Sequence, residues 1–514
     1  MQKVEKWKRY EMTLDGPVDG NPYTEVSLIA EFVNNGTKIS VKGFYDGKGK
    51  YKVRYMPQKE GMWEVKTRSN VAELNEKTDI FECTEANKEN HGPVVVSGKT
   101  HFSYADGKGY IPFGTTAYAW TVQPENIRQE TLATLKQNKF NKIRMTVFPK
   151  NYSYNTEEPE LYPYEGGPKK TADTFDFDDW MVSSEDIGFD FSRFIPEYFK
   201  NLERYIDELD NLGIEADLII FHPYDHWGFA RMGKKYNKLY IQYLVARLAS
   251  FKNVWWSLAN EYDLMDLCGQ IRLDEWDSIG KLVQDEDPSG HLLSIHNWYD
   301  PPQHKDNTKN WYDYSKPWIT HLSVQNDNVF NVPKWVSEYR KPVIIDECRY
   351  EGNIEFGWGD NTAKGMMDFF WRIILRGGGA THGETYIDKP NTKRPIWWAH
   401  GGKLYGDSQK RINYFKDILD KNGFSYIVAQ ATEGPHWELA AGSTPDLKKF
   451  IVYFGENQPE FEILDFLPKE KKYSAQLINA WDMTESKLNQ KVTANEVTYL
   501  PRNEFNVLIL TEDN

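Results

Sequence analysis

Residues 253–261 read NVWWSLANE, an apolar run that ends in an amide and a carboxylate. Residues 342–347 read PVIIDE, a second apolar run that ends in a carboxylate, Glu347. From about residue 100 onwards, short apolar runs of this kind alternate with amphipathic helical segments. That alternation is typical of βα units built around a parallel sheet.

Eight such runs lie between the predicted helices, and this number over about 310 residues predicts a (β/α)8 barrel, or TIM barrel, with insertions. The runs are Tyr110–Thr115, Lys142–Phe148, Glu215–His222, Asn253–Asn260, Leu292–His296, Ile319–Val324, Val343–Glu347 and Ala380–Thr385. A doubly wound open sheet is the alternative. Neither GxGxxG nor GxxxxGK with a following Ser or Thr comes after the first run, which argues against that alternative.

Strand patterns also flank the predicted barrel. Apolar and polar residues alternate over 26–32, an Asn-Asn-Gly turn follows at 34–36, and further alternating strands continue to about residue 90. Strand patterns return near the C-terminus. We therefore expect three domains, which are an N-terminal β-sandwich at 1–92, the barrel at 93–427 and a C-terminal β-sandwich at 428–514.

Composition excludes several classes of function. The net charge of −14, from 62 basic and 76 acidic residues, argues against nucleic-acid binding, which needs basic surface to displace counterions. No apolar run approaches the roughly 18 residues that span a bilayer, so no membrane insertion is expected. The first residues, MQKVEKWKRYEM, are charged, and if Met1 is the true start we expect a cytoplasmic protein. Aromatic residues make up 15% of the chain and can stack on sugar rings, which favours a carbohydrate partner.

Glu261 and Glu347 end the fourth and seventh predicted strands, where barrel enzymes place their active sites. These strands lie on opposite sides of an eight-stranded barrel, so the two carboxyl groups can face each other. Glycoside hydrolysis needs such a pair, a proton donor with a raised pKa and a nucleophile, about 5–5.5 Å apart in retaining enzymes. Either glutamate alone could be a helix cap or a surface charge. Because neighbouring strand residues point to opposite faces, we also expect one of Asp346 and Glu347 to face a helix.

Asn260-Glu261 at the end of the fourth strand and Glu347 at the end of the seventh resemble the signature of retaining (β/α)8 glycoside hydrolases of the cellulase-like clan. The resemblance implies that Glu261 is the acid/base, that Glu347 is the nucleophile and that Asn260 donates a hydrogen bond to the sugar 2-hydroxyl. Arg144 on the second strand matches the arginine that supports the nucleophile in this clan. His222, which ends the third strand, is similar to the clan's substrate-binding histidine.

Over nearly its full length the chain resembles bacterial glycoside hydrolases related to the apiosidase-like group, which carry an N-terminal β-sandwich, a catalytic barrel and a C-terminal sandwich. The segments that carry this resemblance are GPVDGNPY (16–23), GFYDGKGKYKVRYMPQKEGMW (43–63), FGTTAYAW (113–120), HNWYD (296–300) and WWAHGGKLYGDSQKRI (397–412). It implies the architecture but not the sugar, because such barrels hold many specificities. One departure is His382-Gly383-Glu384 on the eighth strand, where many clan members place a substrate-stacking Trp.

Other polar and aromatic side chains are predicted at the same mouth. The groups that could in principle bind a metal are His222, His226, His296, His382 and Glu384. None lies at a tight ligand spacing such as HExxH, so we expect no catalytic metal and no cofactor. All five groups are expected instead to hydrogen-bond sugar hydroxyls or to orient the glutamates. The tryptophans after strands one, three, five and seven, which either pack loops together or form the walls of a sugar pocket, are Trp120, Trp227, Trp298 and Trp358.

Residues 149–195 form a long insertion that either narrows the cleft and favours short substrates or packs on the N-terminal sandwich. Taken together, the sequence predicts a glycoside hydrolase that cleaves a short oligosaccharide or glycoside with retention, by exo action. A transglycosidase or phosphorylase on the same barrel and a non-catalytic carbohydrate-binding protein are the alternatives. The sugar, the anomer, the linkage and the formation of a homo-oligomer are left open.

Overall fold

A computed structural model of the protein describes residues 1–168, 188–298, 311–387, 396–431, 436 and 438–513. The middle of the predicted insertion, residues 169–187, therefore lies outside the described residues. No helix in the described ranges combines the length and the apolar character that crossing a membrane requires.

Eight parallel strands form one sheet in the centre of the chain. They are β1 (Phe113–Thr116), β2 (Lys142–Thr146), β3 (Glu215–Phe221), β4 (Val254–Ala259), β5 (Leu293–Ser294), β6 (Leu322–Gln325), β7 (Val343–Glu347) and β8 (Gly379–His382). Each overlaps one predicted strand. Neighbours pair in chain order, β8 pairs with β1, and a bridge between His296 and Ser323 joins β5 to β6. The sheet therefore closes, which confirms the predicted barrel.

Helices cover the outside of this barrel because each buries one apolar stripe against the strands. The helix at Pro196–Asn211 begins with a proline, whose missing N–H suits a first turn, and buries Phe199, Leu202 and Ile206 at spacings of three and four. The other helices of the barrel are Glu125–Lys136, Gly233–Leu248, Tyr262–Leu267, Trp276–Glu286, Val332–Tyr339, Ala363–Leu375, Trp397–His400 and Ser408–Asn422. Short 3-10 turns lie at Trp120–Val122, Phe229–Arg231, Leu273–Glu275 and Val329–Asn331.

A small antiparallel sheet closes the N-terminal end of the barrel. Its strands are Val94–Ser97, His101–Tyr104 and Gly109–Tyr110. The rings of Phe102 and Tyr110 lie 5.3 Å and 5.9 Å from that of Trp255 at the start of β4. Because this sheet covers the N-terminal ends of the strands, a functional site is expected at their C-terminal ends.

The N-terminal domain consists of two sheets around a separate aromatic core. The larger sheet has the strands Gln2–Glu5, Leu28–Asn34, Thr37–Lys42, Gly61–Ser69 and Thr78–Thr84, the smaller has Tyr10–Asp15, Phe44–Tyr45 and Lys50–Tyr55, and a short helix lies at Pro22–Glu25. Tyr10 stacks on Phe81 at 4.3 Å between the sheets. Inward-facing residues such as Phe32 and Val65 alternate with partly or fully exposed ones, as the sequence pattern predicted.

The C-terminal domain is built on a six-stranded sheet. Its strands are Val428–Gln430, Ala440–Ser443, Lys449–Tyr453, Tyr473–Asn479, Thr484–Val492 and Asn506–Glu512, and a ribbon of Phe461–Glu462 and Thr498–Tyr499 lies beside it. One face, with Ile451 and Tyr453, joins the barrel core, where Tyr453 stacks on Trp371 at 5.2 Å. The other face buries Phe450 and Leu508 in a core of its own. Both sheet-rich flanking domains of the prediction are therefore confirmed.

The described part of the predicted insertion contacts the N-terminal domain. Its strands Tyr164–Gly166 and Phe189–Phe194 form a hairpin. The ring of Phe194 lies 5.3 Å from that of Tyr23, and the Asn21 amide donates to the Ser192 hydroxyl at 2.9 Å. This hairpin thus packs on the sandwich, as one of the two alternatives expected.

A buried ionic network joins the N-terminal domain to the barrel. Glu203 on the helix Pro196–Asn211 accepts from Arg247 at 2.6 Å and lies 2.9 Å from Arg54 of the sandwich. Arg247 also pairs with Asp46 of the sandwich at 2.9 Å. All four side chains are buried. Each carboxylate is therefore needed to compensate an arginine that water does not reach.

Replacing Glu203 by alanine should destabilise the protein, because Arg54 and Arg247 would lose their shared anion. The expected loss in the free energy of unfolding is about 3–5 kcal/mol, the range for a broken buried ion pair. Urea denaturation followed by circular dichroism measures it. Glu208→Ala, an exposed position on the same helix, is the matched control and should stay within about 0.5 kcal/mol of the wild type. Equal stability of the two variants would contradict this role of Glu203.

Candidate active site

Four charged side chains lie buried together inside the barrel. The Lys142 ammonium on β2 lies 2.6 Å from Asp217 on β3 and 2.7 Å from Asp346 on β7. Arg144, two residues further along β2, lies 3.7 Å and 3.9 Å from the same two aspartates. Two cations and two anions thus compensate one another where almost no water reaches them. Burial alone would raise the pKa of Asp346, but the charges of Lys142 and Arg144 outweigh it and lower that pKa.

A β-bulge turns both carboxylates at the end of β7 inward. Val324 of β6 pairs with Ile345, but the next residue, Gln325, pairs with Glu347, which leaves Asp346 as the extra residue. Asp346 accepts from Ser323 and Thr381 inside the barrel, and Glu347 follows at the mouth. The expectation that one of the two faces a helix was therefore wrong, because the bulge breaks the strict alternation on which it depended.

Glu261 lies directly after β4 with its backbone in the left-handed region, at φ +56°. A residue with a side chain seldom adopts this conformation, and such positions cluster at functional sites. The side chain is 4% exposed and accepts a hydrogen bond from the Tyr224 hydroxyl. Burial, followed by the negative charge of Glu347, raises the pKa of Glu261 to about 8. Its carboxyl group is consequently protonated at neutral pH.

Glu347 has the opposite electrostatic environment. It is 7% exposed, its Oε1 accepts from the Tyr118 hydroxyl, and the Nε2 of His296 lies 3.4 Å from the same oxygen. Burial alone would raise the pKa of Glu347. The contact with His296, the charge of Arg144 and the hydrogen bond from Tyr118 outweigh that effect and hold the pKa below its usual value. Glu347 is therefore ionised where Glu261 is not.

Asn260 is held by the same arginine. The Nη2 of Arg144 donates to the Asn260 Oδ1 at 2.9 Å, and the Tyr118 hydroxyl lies 3.2 Å from that oxygen. Fixing the amide oxygen in this way turns the Asn260 amide nitrogen towards other acceptors. Arg144 thus reaches Glu347 through its charge and through Asn260 and Tyr118.

His222 and His296 are both fully enclosed by protein. Burial, followed by the charge of Lys150, lowers the pKa of His222 to about 3, so its imidazole is neutral. The His222 ring lies 6.3 Å from that of Tyr224 and so borders the Glu261 side of the mouth. The Nδ1 of His296 lies 3.3 Å from the Ser323 hydroxyl, which orients its other nitrogen towards Glu347.

The structure does not bring the predicted tryptophans together around the two glutamates. Trp120 packs edge-on against Tyr205 in the barrel core, and its Nε1 donates to the Met145 sulfur at 3.3 Å. Trp227 is also buried, and its Nε1 donates to Glu158 at 2.8 Å. Trp298 is half-buried, and its backbone N–H donates to the Oδ1 of Asp263 at 2.6 Å. These contacts support the packing role expected for the three tryptophans. Their binding of substrate stays a prediction.

Trp358 does lie among the aromatic side chains of the mouth. Its ring lies 5.0 Å from that of Trp398, which in turn lies 5.5 Å from that of Tyr118. Tyr118, Trp398, Tyr224 and Lys150 contact or adjoin the two glutamates and were not among the predicted site residues. Tyr118, Tyr224 and Lys150 lie in the loops directly after β1, β3 and β2, so the same strand-end rule that indicated the glutamates could have found them. Trp398 lies further from its strand, in the helix Trp397–His400 after β8.

Glu384 holds a loop. Its two carboxylate oxygens accept from the backbone N–H groups of Tyr405 and Gly406 at 2.5 Å and 2.8 Å. The ligand atoms of Glu351, His382 and Glu384 lie within 4.8 Å of one another, the distance range of a metal site. Glu351, however, already accepts from the Tyr386 hydroxyl, from the Asp407 N–H and from the N–H and hydroxyl of Ser408. These donors occupy the lone pairs that a cation would need, so the cluster fits a loop anchor better than a metal ligand set.

Comparison with known families matches the chain in three parts. The family described as apiosidase-like, catalytic domain, matches residues 97–425. Two domains of unknown function flank it, DUF5060 at residues 3–70 and DUF5605 at residues 437–511. No curated protein matches the sequence.

Solved structures share the same architecture. A candidate glycoside hydrolase from Bacteroides vulgatus ATCC 8482 is 36% identical, with 100% of each chain covered and a TM-score of 0.88. A glycoside hydrolase family 5 protein from the same organism is 16% identical over 82% of this chain and 94% of that one, with a TM-score of 0.56. Another structure named glycoside hydrolase is also 16% identical, over 82% and 97% of the two chains, with a TM-score of 0.58. The last two show a common fold alone.

Replacing Tyr118 by phenylalanine should raise the pKa of Glu347 by about one unit, since the ionised carboxylate loses a hydrogen-bond donor. NMR of the protein with 13C-labelled glutamate carboxyls measures this, with the Glu347 signal assigned by its loss in Glu347→Gln. Tyr164→Phe is the matched control, because it removes a buried hydroxyl that has no partner among the described residues. An unchanged titration of Glu347 in Tyr118→Phe would show that the tyrosine does not stabilise its charge.

Proposed function

Since the chain belongs to the family of apiosidase-like catalytic domains, we propose that it is a retaining glycoside hydrolase that acts on a short oligosaccharide or glycoside. The observation that carries the proposal is the pair Glu261 and Glu347. Two buried carboxyl groups at the ends of β4 and β7 have pKa values moved in opposite directions, as an acid and a nucleophile require.

In the first step the ionised Glu347 attacks the anomeric carbon of the sugar. A bond forms between its carboxylate oxygen and that carbon while the glycosidic C–O bond breaks. The electron pair of the broken bond stays on the departing oxygen, which takes the proton of Glu261. The products of this step are the free aglycone and a glycosyl ester on Glu347.

In the second step Glu261, now ionised, accepts a proton from water. The water oxygen bonds to the anomeric carbon and displaces Glu347 as a carboxylate. Two inversions at the same carbon retain its configuration. Asn260, with its oxygen held by Arg144, is positioned to donate to a sugar hydroxyl in both steps.

The alternatives differ in what happens after the first step. In a transglycosidase a sugar hydroxyl, and in a phosphorylase a phosphate, would replace the water. A carbohydrate-binding protein would need neither the raised pKa of Glu261 nor the lowered pKa of Glu347. The opposite pKa shifts of Glu261 and Glu347 therefore support an enzyme over a binding protein. Product analysis with added acceptors distinguishes the hydrolase from the transglycosidase and the phosphorylase.

The pH dependence of kcat/KM should be bell-shaped. Glu347 must be ionised, and because its pKa is lowered the activity should persist into mildly acidic solution. Glu261 must be protonated, so activity should fall as the pH rises through about 8. Glu261→Gln assayed on a dinitrophenyl glycoside, whose leaving group needs no proton, should lose this alkaline decline. A wild-type activity that rises up to pH 10 would exclude Glu261 as the acid.

Hydrolysis of a panel of nitrophenyl pyranosides and furanosides in both anomers tests the activity itself. The wild type should release nitrophenol from at least one glycoside, and Glu347→Ala should not, while its circular dichroism stays unchanged. Glu338→Gln, on the exposed face of the helix before β7, is the matched control and should retain full activity. Proton NMR of the first sugar released should show the anomer of the substrate. The opposite anomer would exclude the double displacement, and product formation by Glu347→Ala would exclude Glu347 as nucleophile.

A further inference from the structure

Lys150 is a buried cation that the proposed mechanism does not use. It follows β2 by four residues and is 2% exposed. Among the described residues its ammonium has no hydrogen-bond or ion-pair partner. Aromatic faces surround it instead, because its Nζ lies 3.8 Å from the centre of the Tyr118 ring, 4.1 Å from that of Tyr224 and 4.1 Å from that of Trp398.

Two of these rings belong to the tyrosines that hold the glutamates. The Tyr118 hydroxyl donates to Glu347, and the Tyr224 hydroxyl donates to Glu261. A single ammonium therefore lies against both side chains that orient the pair. An ammonium over an aromatic face is attracted by the ring, and the attraction is strongest where water is excluded, as it is here.

We propose that Lys150 is a positioning residue, which holds Tyr118 and Tyr224 over the two carboxyl groups and sets the pH range in which the pair works. The kinetic part of this proposal rests on the proposed glycosidase function. The positional and electrostatic part concerns the two carboxyl groups themselves and does not need a substrate.

The surroundings of Lys150 explain why its charge matters. Burial lowers the pKa of Lys150 to about 7, although the negative charges of Glu261 and Glu347 favour the ammonium, and the positive charge of Arg144 adds to the lowering. Two further titratable groups lie near Lys150: His222, whose pKa is lowered by burial and then by the charge of Lys150, and Tyr152 in the same loop, whose ring centre lies 5.6 Å away. In return, the cation favours the ionised form of Glu261 and so limits how far burial raises the pKa of that group.

Carboxyl NMR of the 13C-glutamate-labelled protein tests the inference without any substrate. Lys150→Met keeps the length of the side chain but removes the charge, and it should move the titration of Glu261 upwards by about one pH unit. Lys150→Arg keeps a cation that also stacks on aromatic rings, and it should restore the titration towards the wild-type value. Lys235→Met is the matched control, because Lys235 lies over the Tyr236 ring at 5.0 Å on the protein surface. An unchanged Glu261 titration in Lys150→Met would overturn the proposal.

Kinetics on whichever nitrophenyl glycoside the wild type hydrolyses provide the second test. Lys150→Met should lower kcat by about 10- to 100-fold, the effect of misplacing the groups that orient a reacting pair, and should move the alkaline limb of the profile upwards. A raised KM with unchanged kcat and pH profile would instead identify Lys150 as a substrate contact and overturn the positioning role. If no glycoside is hydrolysed, the proposed function fails, while the NMR titration still decides whether Lys150 tunes Glu261.

Discussion

The compensated charges of Lys142, Asp217, Asp346 and Arg144 are the constraint on which the barrel depends. Four ionised groups withdrawn from water are tolerated only because each cation lies within ion-pair distance of an anion from another strand. These side chains come from β2, β3 and β7, which must therefore keep their register. A shift of one residue would point a charged side chain outwards, into the apolar layer between the strands and the helices.

The same charges organise the candidate site above them. Arg144 extends from the cluster to Asn260, and Tyr118 connects that amide to Glu347. The positive charge of Arg144 therefore lies on the β7 side of the mouth, where it favours the ionised form of Glu347. On the β4 side burial dominates, and Glu261 retains its proton. The surroundings of two chemically identical side chains thus move their pKa values in opposite directions.

The flanking domains stabilise this arrangement from outside. The sandwich at the N-terminus is joined to the barrel by Glu203, Arg247, Arg54 and Asp46, and the hairpin of the insertion packs on the same domain. The C-terminal sheet covers the helix Ala363–Leu375 between β7 and β8. Both contacts hold helices that lie beside the strands of the site, and among the described residues neither flanking domain contacts the two carboxyl groups.

The sequence by itself determined the eight strands, the sheet-rich flanks and the position of the two glutamates at strand ends. Apolar alternation is a local property, and the order of the apolar runs along the chain can be read directly. Only the tertiary structure decided which side chains meet. The bulge at Asp346 appears only when β6 and β7 are paired, and Trp120 and Trp227 could not be assigned to the core before the loops were placed. Tyr118, Tyr224 and Lys150 come from different strands. They come into contact only when the barrel closes, and their spacing along the chain does not indicate this.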